Sequence, residues 1–217
     1  MNKIKTMTIS GRGHISLPPD TTVVRLTITG VEPEYSQALE EASRMTKHIK
    51  EILKDADMKD KDVKTSRLSV RPNYEYEDNK RYHRGFAHYQ ELSISFPINN
   101  KRLGRILYLL TESHIKSEIS LYFTVKEPES AKEQLLRNAI RDAKIKASIL
   151  ADASGVTLGE ILSIDYSWGS MRFETDEYDV CDSKMCCNSC AAPSYDIDIN
   201  PEDIDRNDSV EVVFEIK

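Results

Sequence analysis

Cys181, Cys186, Cys187 and Cys190 are the cysteines of this chain, and they fall together as C-x4-C-C-x2-C. Thiolates this close in sequence suit metal binding, redox exchange or disulfide formation. A structural zinc site wants four soft ligands in tetrahedral array, usually as two separated CxxC-like knuckles. Cys187-Asn188-Ser189-Cys190 is one such knuckle, with Cys181 and Cys186 as the other half at looser spacing. Adjacent Cys186 and Cys187 cannot easily both reach one ion, so three of the four with Asp182 or water is the fallback. In a reducing compartment the set reads as a metal site, zinc first and iron–sulfur second, or as redox-active thiols. In an oxidising one it reads as two disulfides, and a plain loop with free thiols is the third reading. These alternatives stay open in the sequence.

Other constellations carry less. Asp196, Asp198 and Asn200 match the start of a calcium loop, but Pro201 stands where glycine is needed and Asn207 where a bidentate glutamate belongs. Ile197 and Ile199, alternating with aspartates, fit an edge strand better. Glu174, Asp176, Glu177, Asp179 and Asp182 make the insert acidic, which reads as solvation. His14, His48, His83, His88 and His114 show no HxxxH or HxH spacing, so each reads as a surface or hydrogen-bonded residue. No nucleophile elbow, Walker sequence or dinucleotide fingerprint is present. The two glycines of Gly11-Arg12-Gly13 have no following helix to supply an anion-binding N-terminus, so they read as a break or bulge in a strand. Tyr74, Tyr76 and Tyr82 lie among basic residues, while Glu75, Glu77 and Asp78 make a base-stacking role unfavourable. They read as interaction residues on a hairpin arm that contacts another subunit.

Composition narrows the classes. The chain has 217 residues and a formal charge of −6, enough length for a sizeable core and the wrong sign for a general nucleic-acid binder. Arg137, Arg141, Lys144 and Lys146 are interleaved with Glu133 and Asp142, the pattern of a solvated helix face. No run approaches the roughly 20 apolar residues of a transmembrane helix. The start, MNKIKTMTISG, lacks an apolar leader core. As it stands the sequence reads as cytoplasmic, and as periplasmic or secreted if a leader has been removed.

The elements that would position these residues follow from periodicity. Ala131, Leu135, Ala139, Ala143, Ala147 and Leu150 step by three and four, which predicts a long amphipathic helix. Ser130 and Glu133 have capping-box spacing at its start, and Gly155 ends it. Ala38, Ala42, Met45, Ile49, Ile52 and Ala56 predict a second long helix, and Leu103, Ile106, Leu107 and Leu110 a shorter one over 100–113. Alternation predicts strands over 3–17, 23–29, 63–70, 86–97, 119–125, 156–166 and 209–216, with the first two as a hairpin and Asp78-Asn79 as the tip of another. The expected class is α+β: mainly antiparallel sheet covered by two long helices and one short one. Strand–helix–strand occurs twice, over 23–70 and 92–125, the pattern of an internal β-α-β duplication. A single domain over 1–217 is expected, with an irregular acidic cysteine-containing insert at about 167–207.

Ile9-Ser10-Gly11-Arg12-Gly13, Pro19-Asp20, Gly85-Phe86, the alanine-rich helix with Gly155 and Leu158-Gly159, and the close Ser209-Val210-Glu211-Val212-Val213-Phe214 form an ordered set. Together they resemble the SIMPL domain family, whose members include periplasmic immunogenic proteins. Ser113-His114-Ile115 stands where that family often has a glycine. The resemblance implies a fold rather than a reaction, and no catalytic residues carry over. It points to a non-catalytic domain that self-assembles into a homo-oligomer or binds a protein partner, in a stress-related role. A metal- or redox-responsive protein acting through Cys181–Cys190 is the alternative.

Overall fold

The computed structural model describes residues 5–217 except 79, 168, 170 and 182–197, and of Cys181 only the backbone. The elements in chain order are β1 (Lys5–Leu17), β2 (Thr21–Glu32), α1 (Tyr35–Lys54), β3 (Val63–Glu77), β4 (Lys80–Pro97) and α2 (Asn100–Glu112). They continue with β5 (Ser117–Thr124), α3 (Pro128–Ser154), β6 (Leu158–Asp165), β7 (Tyr178–Cys181) and β8 (Ile204–Ile216). The class is α+β, with three helices and two antiparallel sheets, as periodicity predicts. The chain divides into two compact units.

The first unit draws on Met1–Pro19, Thr124–Thr175 and Pro201–Lys217. Its three-stranded sheet has the order β1-β8-β6. β1 pairs with the last strand from Lys5↔Ile216 to Leu17↔Ile204 without a register shift. The β1–β2 hairpin expected from the sequence is therefore not formed, because β1 takes a long-range partner and β2 joins the other sheet. Gly11 and Gly13 neither break nor bulge β1; they let α3 lie against it. A Cβ at Gly11 would stand 2.2 Å from the Ala139 carbonyl oxygen, and one at Gly13 2.2 Å from that of Leu135. The helix answers with small residues, burying Ala131, Leu135, Ala139, Ala143, Ala147 and Ala151. Leu150, assigned to this stripe on spacing alone, is exposed, and Ala151 takes its place.

Two ends of α3 are instructive. The helix starts at Pro128, whose fixed φ suits the first turn, and Glu127 supplies no side-chain cap. Ser130 and Glu133 therefore lie inside the helix rather than capping it, and Glu133 bonds Arg137 instead. At the other end Gly155 takes φ +66°, and its N–H closes on the carbonyls of Ala151 and Asp152.

The second unit spans Asp20–Phe123 and Asp176–Asn200. Its sheet order is β3-β4-β2-β5-β7. The β2-α1-β3 and β4-α2-β5 units interleave, so the duplication read from the sequence corresponds to the β-α-β-β-α-β ferredoxin-like arrangement. β7, inside the region expected to be irregular, adds a short strand to β5. Val24, Leu26, Ile28, Leu92, Ile94 and Phe96 point from β2 and β4 to one side, where Ile49, Leu53, Leu103, Ile106 and Leu110 meet them. Each such side chain contributes about 1.5–3 kcal/mol on burial. Asn99 caps α2 by accepting a hydrogen bond from the Arg102 N–H at 3.0 Å. Ile199 packs against this core outside any strand, and its carbonyl accepts from Asn100 Nδ2 at 3.1 Å.

Candidate functional site

The tyrosine-rich segment forms an arm. β2 pairs with β4 only as far as Glu32↔Phe86, whereas β3 and β4 stay paired to Glu77↔Lys80. Residues 73–77 and 80–85 thus continue as a two-stranded ribbon past the end of β2. The ribbon leaves the sheet at a register shift between Asn73 and Tyr74, opposite Gly85 at φ +109°. Only glycine adopts that backbone readily, so the bulge and the glycine together set the direction of the arm. Asp78, at φ +49°, occupies the tip that the sequence indicates.

Strand pairing gives the arm two unlike faces. Tyr74 lies opposite His83 and Tyr76 opposite Arg81. The Tyr74 and His83 rings meet edge-on at 5.3 Å, His83 meets Phe86 at 5.2 Å, and the Arg81 guanidinium sits 3.5 Å over the Tyr74 ring. Tyr76, next along, is 72% exposed. The opposite face is charged: Arg84 Nε donates to Glu75 at 2.9 Å and Arg84 Nη2 to Glu77 at 2.8 Å. Tyr82 lies on that charged face, opposite Glu75 and beside Arg84. Of the three tyrosines singled out in the sequence, Tyr74 and Tyr76 come together and Tyr82 is separated from them. Strand alternation counted through a two-residue tip at Asp78-Asn79, which sets the register, was the signal that could have divided them.

The cysteine cluster is placed only at its edge. Cys181 closes β7 with its backbone opposite Ile119. Cys186, Cys187 and Cys190 lie outside the described residues. Among the described residues no group of three His, Cys, Asp or Glu side chains is arranged to hold a metal ion.

Sequence reasoning missed His88. Expected to be exposed or hydrogen-bonded, it is 3% exposed, and neither ring nitrogen has a hydrogen-bond partner among the described residues. It faces Gly30 across the β2–β4 pair, where a Cβ would stand 2.4 Å from its Cε1. A missing side chain on β2 thus seats the ring. The only hint in the sequence was its place in phase with Gln90, Leu92 and Ile94 on β4. His88 lines a cavity of about 310 Å³ bounded by α1, β2 and the turn from α2 into β5. At its side Arg44 grips Glu41 in a fork, Nε to Oε2 at 2.8 Å and Nη2 to Oε1 at 2.6 Å. That hydrogen-bonded guanidinium holds the Glu41 carboxyl below its usual range, outweighing an opposing effect of burial. His114, in the turn, has φ +54°.

The fold and these surfaces define a two-unit α+β protein with a projecting hairpin and a small polar cavity, and among the described residues no constellation that fixes a reaction. The chain belongs to the SIMPL family, a protein of unknown function (DUF541), whose model matches residues 7–214. It is similar to the 26 kDa periplasmic immunogenic protein of Brucella melitensis biotype 1, with 24% identity covering 96% of this chain and 84% of that protein. It is also similar to the uncharacterized protein YggE of Edwardsiella ictaluri, at 23% identity over 95% of this chain and 85% of that one. YggE of Escherichia coli (strain K12) is 21% identical over 96% and 82%. Among the described residues no helix is long and apolar enough to cross a membrane.

Proposed function

We propose that this chain is a non-catalytic SIMPL-type domain that assembles with copies of itself through the β3–β4 arm. The observation that carries the reading is the arm's aromatic face: Tyr74 and Tyr76 are exposed on a two-stranded ribbon beyond the end of β2. Such a ribbon is marginal alone in water and gains stability by packing on a neighbour. A second copy suits the charge pattern. Glu75 and Glu77 lie beside Lys80 and Arg84 on one face and Arg81 lies with Tyr74 on the other, so the arm carries both signs and can meet a copy of itself. β3 is also a sheet edge, where a copy can add its own strand.

The family match over nearly the whole chain supports treating it as one functional domain. A relative named as periplasmic favours the envelope over the cytoplasm as its place of action. Light scattering at micromolar protein, comparing the parent with a variant lacking residues 75–84, tests the assembly. The parent is expected to exceed the monomer mass and the shortened variant to return to it; a strictly monomeric parent would remove the idea.

A further inference from the structure

We propose that the open face of the five-stranded sheet binds a small phosphate ester, its phosphate held by Arg67 and Arg71 and its body resting on Val31 and Ala87. The inference is independent of the assembly reading, since these residues lie on the sheet outside the arm. It starts from strand alternation. Arg67, Ser69 and Arg71 of β3 stand opposite Glu91, Tyr89 and Ala87 of β4, and the last two stand opposite Thr29 and Val31 of β2. On β4 they alternate with Leu92 and Ile94, which belong to the core on the helix side, so this row faces away from the helices. A register shift between Thr65 and Arg67 puts both arginines there; without the extra residue Arg67 would fall opposite Gln90, on the helix side. Together these side chains line a cavity of about 390 Å³, the size of a small-molecule site.

The charge of the lining selects the ligand. Among the described residues no Asp or Glu lines this cavity, and neither guanidinium has a carboxylate within ion-pair distance. Glu91, opposite Arg67, is turned instead to Arg25 at 3.6 Å and accepts from the Tyr89 hydroxyl at 3.4 Å. Arg67 leans the other way, its guanidinium 5.3 Å over the Tyr89 ring, one row nearer Arg71. The two arginines start about 13 Å apart along the strand, and this lean brings their heads closer together. Both are exposed, so a ligand reaches them. Two uncompensated cations suit a dianion, and each planar fork offers parallel donors to phosphate oxygens. A single carboxylate would leave one charge unmatched. Ser69 and Thr29 add hydroxyls to the cavity, and Val31, Ala87 and Tyr89 give apolar surface for the body of the ester. Farther along the face Glu91 and Glu177 both pair with Arg25 and oppose a long polyanion, so a small ester fits better than a nucleic-acid strand.

The experiment is isothermal titration calorimetry of the intact chain with phenyl phosphate at low salt, beside inorganic phosphate, sodium benzoate and a single-stranded oligothymidylate. Saturable binding of phenyl phosphate is expected, with a Kd of roughly a millimolar or tighter, and weaker binding of the other three. Arg71→Gln should weaken it about tenfold, the worth of one charge-assisted contact. Arg67→Gln combined with Arg71→Gln should abolish it, whereas Arg137→Gln, on α3, should bind as the parent does. Both cavity arginines are exposed, so the far-UV circular dichroism of their variants should match the parent's. Should the double variant lose that spectrum, Arg71→Gln decides the matter alone. No saturable binding of phenyl phosphate, equal binding of inorganic phosphate or benzoate, a preference for the oligonucleotide, or an equal loss from Arg137→Gln would each overturn the assignment.

Discussion

The two units solve the problem of covering a sheet in opposite ways. In the three-stranded unit α3 approaches β1 so closely that glycines and alanines form the contact, and Gly11, Gly13, Ala139 and Ala143 leave no room for a methyl group. In the five-stranded unit larger spacing is filled by Leu, Ile and Phe, and Thr22, His88 and Gln90 are buried with atoms that have no partner among the described residues. Gln90 is half satisfied, its Nε2 donating to Thr46 Oγ1 at 2.5 Å while Oε1 has no partner among the described residues. The close contact leaves no room for an added Cβ at Gly11 or Gly13. The five-stranded unit holds these unpaired polar atoms and also projects the arm.

The largest expected effect tests the close contact. Gly13→Val places branched carbons on the Leu135 carbonyl and should cost about 3 kcal/mol or more, read as a lowered urea midpoint, because backbone cannot give way as a side chain can. Next, Ala143→Leu should cost about 1–3 kcal/mol, whereas Lys144→Ala, on the outer face of the same helix, should stay within roughly 0.5 kcal/mol. Equal midpoints for those two would mean that the small-residue face has been misassigned.

A smaller effect concerns Asp142, which links α3 to β1. Its carboxylate accepts from Lys146 Nζ and from the Arg12 N–H at 2.7 Å, and these bonds, Lys146 first, hold its pKa below the usual value. The stability it contributes is present above the unfolded pKa of about 3.9 and is lost as pH falls through the lower folded value. Asp142→Asn should therefore cost on the order of 1 kcal/mol at neutral pH, with the difference from the parent vanishing in strong acid. A pH-independent difference would assign the cost to packing. The smallest change is expected from His88→Leu, which removes a buried unsatisfied ring; its stability should stay within about 1 kcal/mol of the parent or rise. A loss as large as that of Ala143→Leu would erase the contrast between the units.

Much of this was legible in the sequence, for physical reasons. The helices announced themselves because their buried faces repeat at helical spacing, and the strands because theirs alternate. What stayed hidden was long-range. Nothing near β1 says that its partner is β8, nearly the whole chain away, so the nearer β2 was the natural but mistaken choice. Gly11 and Gly13 look like punctuation until α3 is laid upon them. His88 shows the same limit in the candidate site, since burial without a partner is a property of its surroundings on β2 and α1. The tyrosines were legible as a group, but only their register on the arm separates Tyr82 from Tyr74 and Tyr76. The cysteines at 186, 187 and 190 fall outside the described residues.

The central claim, that the arm is an assembly surface, is tested most directly by sedimentation velocity on the intact chain over a micromolar concentration series beside Tyr76→Ser. That side chain is exposed and belongs to none of the core clusters among the described residues. The account predicts an oligomer for the parent and a marked shift toward monomer for Tyr76→Ser, with unchanged far-UV circular dichroism. A parent that sediments as a monomer at every concentration, or a variant that assembles as the parent does, would contradict it.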